Sequence, residues 1–120
     1  MAKLTAYLYP KCGTCRQAKA WLGNQGYEIN EINIAEDPPT KEELKKLWSQ
    51  SGEELKKFFN TSGMKYRELG IKDKLPNLSE DEQLELLSSD GMLIKRPIVT
   101  DGSKVTIGFK DNLFADAWGK

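Results

Sequence analysis

Apolar positions fall in short runs at either end of the chain and at helical spacing through its middle. Residues 4–9 (LTAYLY) form an apolar and aromatic run stopped by Pro10, the pattern of a buried strand. From residue 12 to 26 the period lengthens. Cys15, Ala18, Trp21 and Leu22 recur at spacings of three, four and seven, one face of a helix, with Gly26 as its stop. Residues 27–34 read as a second strand, but the alternation slips between Ile29 and Ile32, which predicts a bulge or an early end. Strand, helix and strand within about thirty residues make a βαβ unit.

Pro38-Pro39 breaks this pattern, and the middle third then reads as helical. Thr40-Lys41-Glu42-Glu43 is a capping box ahead of Leu44, Leu47 and Trp48. Ser51-Gly52-Glu53-Glu54 repeats the device ahead of Leu55, Phe58 and Phe59, and Ser79-Glu80-Asp81-Glu82 repeats it ahead of Leu84, Leu86 and Leu87. A short helix is expected over residues 66–69, stopped by Gly70, with loops at 60–63 and 72–77. Strands return at 98–100 and 105–107 around Asp101-Gly102, a hairpin turn signal. Asp111 is expected to cap a last helix that carries Leu113, Phe114, Ala117 and Trp118 on one side. Trp48, Phe58, Phe59 and Trp118 stand among apolar neighbours at helical spacing and are expected in the core. The order predicts an α/β chain read as one domain over residues 1–120, with a helical insertion at about 40–90.

Composition narrows what such a chain does. At 120 residues it can bury a core without metal or disulfide staples. Eighteen basic and eighteen acidic residues cancel, so there is no electrostatic case for direct nucleic-acid binding. No apolar run is long enough for a membrane, and Met1-Ala2-Lys3-Leu4 lacks the features of a signal peptide. A cytoplasmic, reducing setting is therefore expected, where two cysteines three apart signify dithiol chemistry rather than a staple. Histidine is absent, which removes Cys-His and Ser-His-Asp catalysis and any histidine metal cluster. Two cysteines alone are half a zinc site, so no metal is expected.

The chemistry then falls to Cys12-Gly13-Thr14-Cys15, placed after a strand and at the opening of a helix. Free N–H groups and the positive dipole end of a first helical turn favour thiolate over thiol. Lys11 and Arg16 add positive charge on either side. Cys12 is the expected nucleophile, and Cys15, one turn on, is placed to resolve a mixed disulfide formed there. The plainer alternative is two inert cysteines, one facing the core. Lys95-Arg96-Pro97-Ile98 is the second feature. Proline at a strand start reads either as a boundary or edge, or as a cis-proline loop opposite the cysteines as in thioredoxin-like folds. In the latter case Arg96 holds an anion or stabilises the Cys12 thiolate. Asn60, Lys65 and Arg67 line a substrate cleft if the helical block covers Cys12.

Taken together these segments resemble the ArsC/Spx family, the arsenate-reductase-like branch of the thioredoxin-like fold. The resemblance rests on residues 9–16 (YPKCGTCR), Pro38-Pro39, residues 66–70 (YRELG), Lys95-Arg96-Pro97-Ile98 and Gly108-Phe109, and runs over nearly the whole chain. It implies a mixed four-stranded sheet with flanking helices and a helical insertion. It also implies Cys12 as the reactive cysteine, Arg96 as the thiolate- or oxyanion-binding arginine, and Lys11, Gly13, Thr14, Arg16, Asn60 and Pro97 as substrate contacts. No bound cofactor is implied; glutathione or thioredoxin serves as reductant, and a thiol or disulfide compound or an oxyanion as substrate. Arsenate reductases coupled to glutathione and glutaredoxin carry Ser in place of Cys15 and three arginines around the oxyanion. Here Asn60 and Phe109 occupy what look like the other two arginine positions, which weakens an oxyanion site. Spx-type regulators carry the dithiol as a redox switch on RNA polymerase binding, so the resemblance implies either a thiol-disulfide reductase or a redox-sensing regulator.

Overall fold

The computed structural model describes residues 3–61 and 63–119. Met1 and Ala2, read above as part of a leaderless start, lie outside the described residues, as does Ser62 of the expected 60–63 loop. The chain separates into two compact units, one built from Met1–Asn33 with Arg96–Lys120, the other from Ile34–Lys95.

In the first unit the described residues form a four-stranded sheet of order β2-β1-β3-β4. Strand β1 (Lys3–Leu8) pairs in parallel with β2 (Glu28–Asn33), and α1 (Gly13–Asn24) makes the crossover. Strand β3 (Ile98–Thr100) lies antiparallel to β1, and β4 (Val105–Ile107) antiparallel to β3. This is the mixed sheet of the thioredoxin-like fold. Leu4, Ala6 and Leu8 alternate onto one face of β1, and Val99 joins them because it stands opposite Ala6. Cys15, Ala18 and Leu22 of α1, with Phe114 and Trp118 of the last helix, pack against that row. Tyr7 and Ile98, paired across the strands, are buried on the opposite face.

The expected bulge in β2 is absent: its register with β1 runs unbroken from Lys3↔Glu28 to Leu8↔Asn33. The alternation slips because β2 is an edge strand. Ile29 and Ile32 point to opposite faces and each is only half-buried, so neither face imposes the strict period of a one-sided strand. The helix Asp111–Trp118 (α6 below) buries Phe114 and Trp118 as expected, but its cap is Lys110, not Asp111. Asp111 sits inside the first turn, a position where a negative charge suits the positive end of the helix.

The second unit is helical: α2 (Lys41–Ser51), α3 (Met64–Glu68), α4 (Ile71–Lys74) and α5 (Glu80–Ser89), with 3-10 turns at Leu55–Phe58, Leu75–Asn77 and Gly91–Leu93. The boxes at Thr40 and Ser79 form in both directions. Glu43 and Glu82 donate their backbone N–H to the hydroxyls at 3.1 Å, and their carboxylates accept from Thr40 N–H at 3.1 Å and Ser79 N–H at 3.0 Å. The box expected at Ser51 does not form. Gly52 takes a left-handed φ of 70° and ends α2 there, and the Ser51 hydroxyl turns back to donate to the Trp48 carbonyl. Residues 55–58 close instead as a 3-10 turn behind Glu54. The expected 72–77 loop is helical. Left-handed Gly70 (φ 61°) redirects the chain into α4, and Pro76 falls where a first turn has no need of its N–H. Phe58 and Phe59 are fully buried, while Trp48 is half-buried with its indole N–H donating to the Glu53 carbonyl at 2.9 Å. Among the described residues no helix is long and apolar enough to cross a membrane.

Candidate active site

The end of β1 sets the geometry. Pro10 fixes φ in the turn 9–12, and the Cys12 N–H closes it by donating to the Tyr9 carbonyl at 3.0 Å. Cys12 is thereby delivered in extended conformation (φ −90°, ψ 116°) as the N-cap of α1. A serine or aspartate oxygen ordinarily satisfies the free N–H groups at such a position. Here the Cys12 sulfur accepts from the Cys15 N–H at 3.4 Å. The first turn of α1 contains no acidic residue to compete with it.

The two thiols are driven apart by their surroundings. Cys12 is half-buried, and burial alone would raise its pKa. Hydrogen bonds from the Cys15 thiol and backbone, the positive charge of Arg96 and a backbone bond from Thr14 outweigh that cost. The net shift is below the ordinary thiol value of 9.0. Cys15 is buried on the core face of α1 and is pushed up to about 12, first by burial and further by the neighbouring Cys12. A backbone bond from Tyr9 and the charge of Arg96 offset only part of that rise. One sulfur is held toward thiolate and the other kept as its proton-bearing neighbour.

Arg96 reaches this pair from the segment preceding β3. Its peptide bond to Pro97 is cis, as expected of the loop opposite the cysteines, and Pro97 is buried with its carbonyl accepting from the Gly108 N–H at 2.9 Å. The Arg96 guanidinium lies over the Tyr9 ring, 5.0 Å from its centroid. Tyr9 opens the 9–16 segment that carries the resemblance, but nothing in the sequence gives it a role beside the cysteines.

The sheet unit thus brings together Cys12, Cys15, Arg96, Pro97, Tyr9 and the backbone of Thr14. Lys11, Gly13 and Arg16 flank the sulfur on exposed positions, and a side chain at Gly13 would meet open space. Asn60 belongs to the helical unit, where its N–H donates to the Leu93 carbonyl at 2.8 Å and its carbonyl accepts from Gly63 at 3.0 Å. Phe109 brings no charge; it is half-buried and meets Phe114 edge-on at 4.7 Å between ring centroids. Both cysteines stand as free thiols, so the Cys12–Cys15 disulfide expected at the end of a reaction cycle is not the state seen here. Among the described residues no group of three or more Cys, Asp or Glu is placed to hold a metal ion.

Comparison with known proteins places this geometry among relatives. The chain is 70% identical over 115 residues to the uncharacterized protein YusI of Bacillus subtilis (strain 168), covering 96% of this chain and 98% of YusI. It is 35% identical to the regulatory protein MgsR of the same organism, covering 89% of this chain and 83% of MgsR. It is 31% identical to the global transcriptional regulator Spx of Streptococcus mutans, covering 91% and 78%. Among solved structures, a putative ArsC family related protein from Bacteroides fragilis superposes with a TM-score of 0.92 at 43% identity, over 97% of both chains. The arsenate reductase from Vibrio cholerae superposes with a TM-score of 0.80 at 32% identity, over 88% of this chain and 89% of that one. The family model for ArsC matches residues 7–117, from the end of β1 through the last helix, and the chain belongs to the ArsC family.

Proposed function

We propose that this protein is a thiol-disulfide oxidoreductase of the ArsC family working through a Cys12–Cys15 dithiol. The observation that carries this reading is Cys12 as a sulfur N-cap. It accepts from Cys15, with Arg96 lowering its pKa, while Cys15 keeps its proton. The Cys12 thiolate attacks a disulfide, forms a mixed disulfide and expels the other half as a thiolate, which takes a proton from solvent. With Cys12 now covalently engaged, its negative charge no longer opposes ionisation of Cys15. Cys15 gives up its proton to solvent, attacks the Cys12 sulfur and releases the second thiolate, which takes a proton from solvent in turn. The dithiol has then supplied two electrons and closed as a Cys12–Cys15 disulfide. A glutathione- or thioredoxin-type reductant restores it. Lys11 and Arg16 bias the exposed approach toward anionic thiol compounds, and the expected setting is the reducing cytoplasm.

With Arg96 as the one arginine kept of three, an arsenate-like oxyanion is a poor substrate. A second reading is favoured by the identity to MgsR and Spx: a redox-sensing regulator in which the same disulfide alters affinity for RNA polymerase. Mass spectrometry of Cys15→Ser protein trapped from a reducing lysate separates the two. A covalent adduct of glutathione or of substrate thiols on Cys12, absent from Cys12→Ser, supports the reductase. Redox-dependent retention of polymerase with no thiol turnover supports the regulator, and an ordinary thiol reactivity at Cys12 removes both.

A further inference from the structure

Three chain segments of the sheet unit meet at one edge of the sheet. Strand β1 leaves it through the turn 9–12 to Cys12, β3 enters it from cis Pro97, and β4 leaves it through Gly108 to Phe109. The register sets them level. Tyr7 stands opposite Ile98 and Ile98 opposite Ile107, and the Gly108 N–H carries the ladder one step further by donating to the Pro97 carbonyl at 2.9 Å. Gly108 then takes a left-handed φ of 78°, which a residue without a Cβ adopts freely, and Phe109 beyond it packs on Phe114 of α6. Cys12 and Phe109 lie against one buried cluster, to which Cys15, Leu8 and Phe114 belong. Helices α1 and α6 both start at this edge, one on the Cys12 sulfur and the other on Lys110, the residue after Phe109.

The Phe109 ring has a firm base. It meets Phe114 edge-on at 4.7 Å between centroids, and Phe114 is itself fully buried and met edge-on by Trp21 at 5.5 Å. Phe109 is only half-buried, so apolar ring surface stays uncovered at the edge where the reactive thiol stands. Covering such surface with an apolar group is favourable in proportion to the area, whereas a charged or hydrogen-bonding group set against it loses water and gains no partner. Strands β1 and β4 lie two strand spacings apart, about 10 Å. That span suits the side chain next to an attacked cysteine in an extended polypeptide better than an atom bonded directly to the attacked sulfur.

We propose that Phe109 determines specificity by receiving an apolar side chain beside the attacked cysteine, so that the substrates are polypeptide disulfides with an apolar neighbour. The inference rests on the dithiol reading and names its substrate class. One reduced chain and one such disulfide give one Cys12–Cys15 disulfide and two substrate thiols, with two electrons passing to the substrate and the two protons exchanged through solvent. The charges of Lys11 and Arg16 act on approach through water, whereas the ring acts only in contact, so one substrate can satisfy both.

The test is single-turnover reduction of two peptide disulfides by the reduced full-length chain, followed by mass spectrometry of acid-quenched samples. The probes are the disulfide-linked dimers of blocked leucyl-cysteinyl-leucine and blocked seryl-cysteinyl-serine. Each rate is divided by the rate at which dithiothreitol reduces the same peptide, which removes intrinsic differences between the two disulfides. The native chain is expected to favour the leucine peptide about fivefold, the effect of covering roughly 40 Å² of apolar surface. In Phe109→Gln the ratio is expected to fall to about one, because the amide prefers water to leucine. Should Phe109→Gln fail to fold, Phe109→Leu reads the same contact: it stays apolar but offers a smaller face, and the ratio is expected to fall to about twofold. A chain that exchanges with neither peptide overturns the dithiol reading and this inference with it. Exchange with both at equal normalised rates, or faster with the serine peptide, overturns the substrate class alone. A native leucine preference that survives in Phe109→Gln or Phe109→Leu overturns the role of Phe109.

Discussion

Helices α2 and α5 of the helical unit begin on a hydroxyl and a glutamate, whereas α1 of the sheet unit begins on sulfur. All three face the same problem: the first turn leaves N–H groups without helical partners and a positive dipole end. At Thr40 and Ser79 the answer is closed. Hydroxyl and carboxylate satisfy the backbone in both directions, and Glu82 is held below the usual carboxylate range by those Ser79 bonds. At Cys12 the answer is open. The same donors are turned on a polarisable, ionisable atom, no acid neutralises the dipole, and Arg96 adds to the field. One arrangement spends the helix terminus on closing the backbone, and the other on lowering the pKa of a thiol.

The largest effect is expected where the open arrangement meets the core. Cys15 has a folded pKa of about 12 against an ordinary 9.0, so above pH 9.0 the unfolded chain loses a proton that the folded chain keeps. Stability supplied by this thiol is complete below 9.0 and declines as pH rises toward 12. Cys12 has the opposite sign, contributing above 9.0 and losing its contribution as pH falls through its lowered value. Urea denaturation of reduced native and Cys15→Ser protein from about pH 8 to about 10.5 should therefore show the native chain losing more stability with rising pH. A constant difference between the two would mean that Cys15 titrates as if in solvent.

Removing the closed caps is the next step down. Thr40→Ala and Ser79→Ala are each expected to cost about 1 kcal/mol in the urea midpoint. Neither should alter the rate at which iodoacetamide modifies Cys12. A change in that rate would show that these helix starts do not serve stability alone.

The smallest and most discriminating change imports the closed device into the open site. Gly13→Glu places an acid in the first turn of α1, where a new side chain meets open space. Stability is expected to rise by about 0.3–1 kcal/mol while Cys12 alkylation near neutral pH slows about two- to fivefold. Movement of both quantities in the same direction would break the comparison.

How far these features could be read in advance depended on whether they were local. The sulfur at the head of α1 and the boxes at Thr40 and Ser79 lie within a few consecutive residues, and the short-range hydrogen bonds that define them form in the structure. The Ser51 box failed although its spacing is equally good, because left-handed Gly52 ended α2 and left no helix for Ser51 to begin. The 72–77 loop failed because Gly70 and Pro76, each a breaker in isolation, fell where a helix restarts. The slip in β2 signalled an edge position, which pattern alone does not separate from a bulge.

The sequence by itself determined that a thiol would stand at the start of a helix behind a strand, because proline, cysteine spacing and apolar period act over a handful of residues. It also established that no histidine would share the work. Only the tertiary structure decided that Arg96, more than eighty positions further on, would lie over Tyr9 and act on Cys12. Helical spacing already put Cys15 on the apolar face, and the packing around it decided that it would hold its proton. Charge and burial act through space, and the antiparallel return of β3 beside β1 is what carries the Arg96 segment back to the end of the first strand.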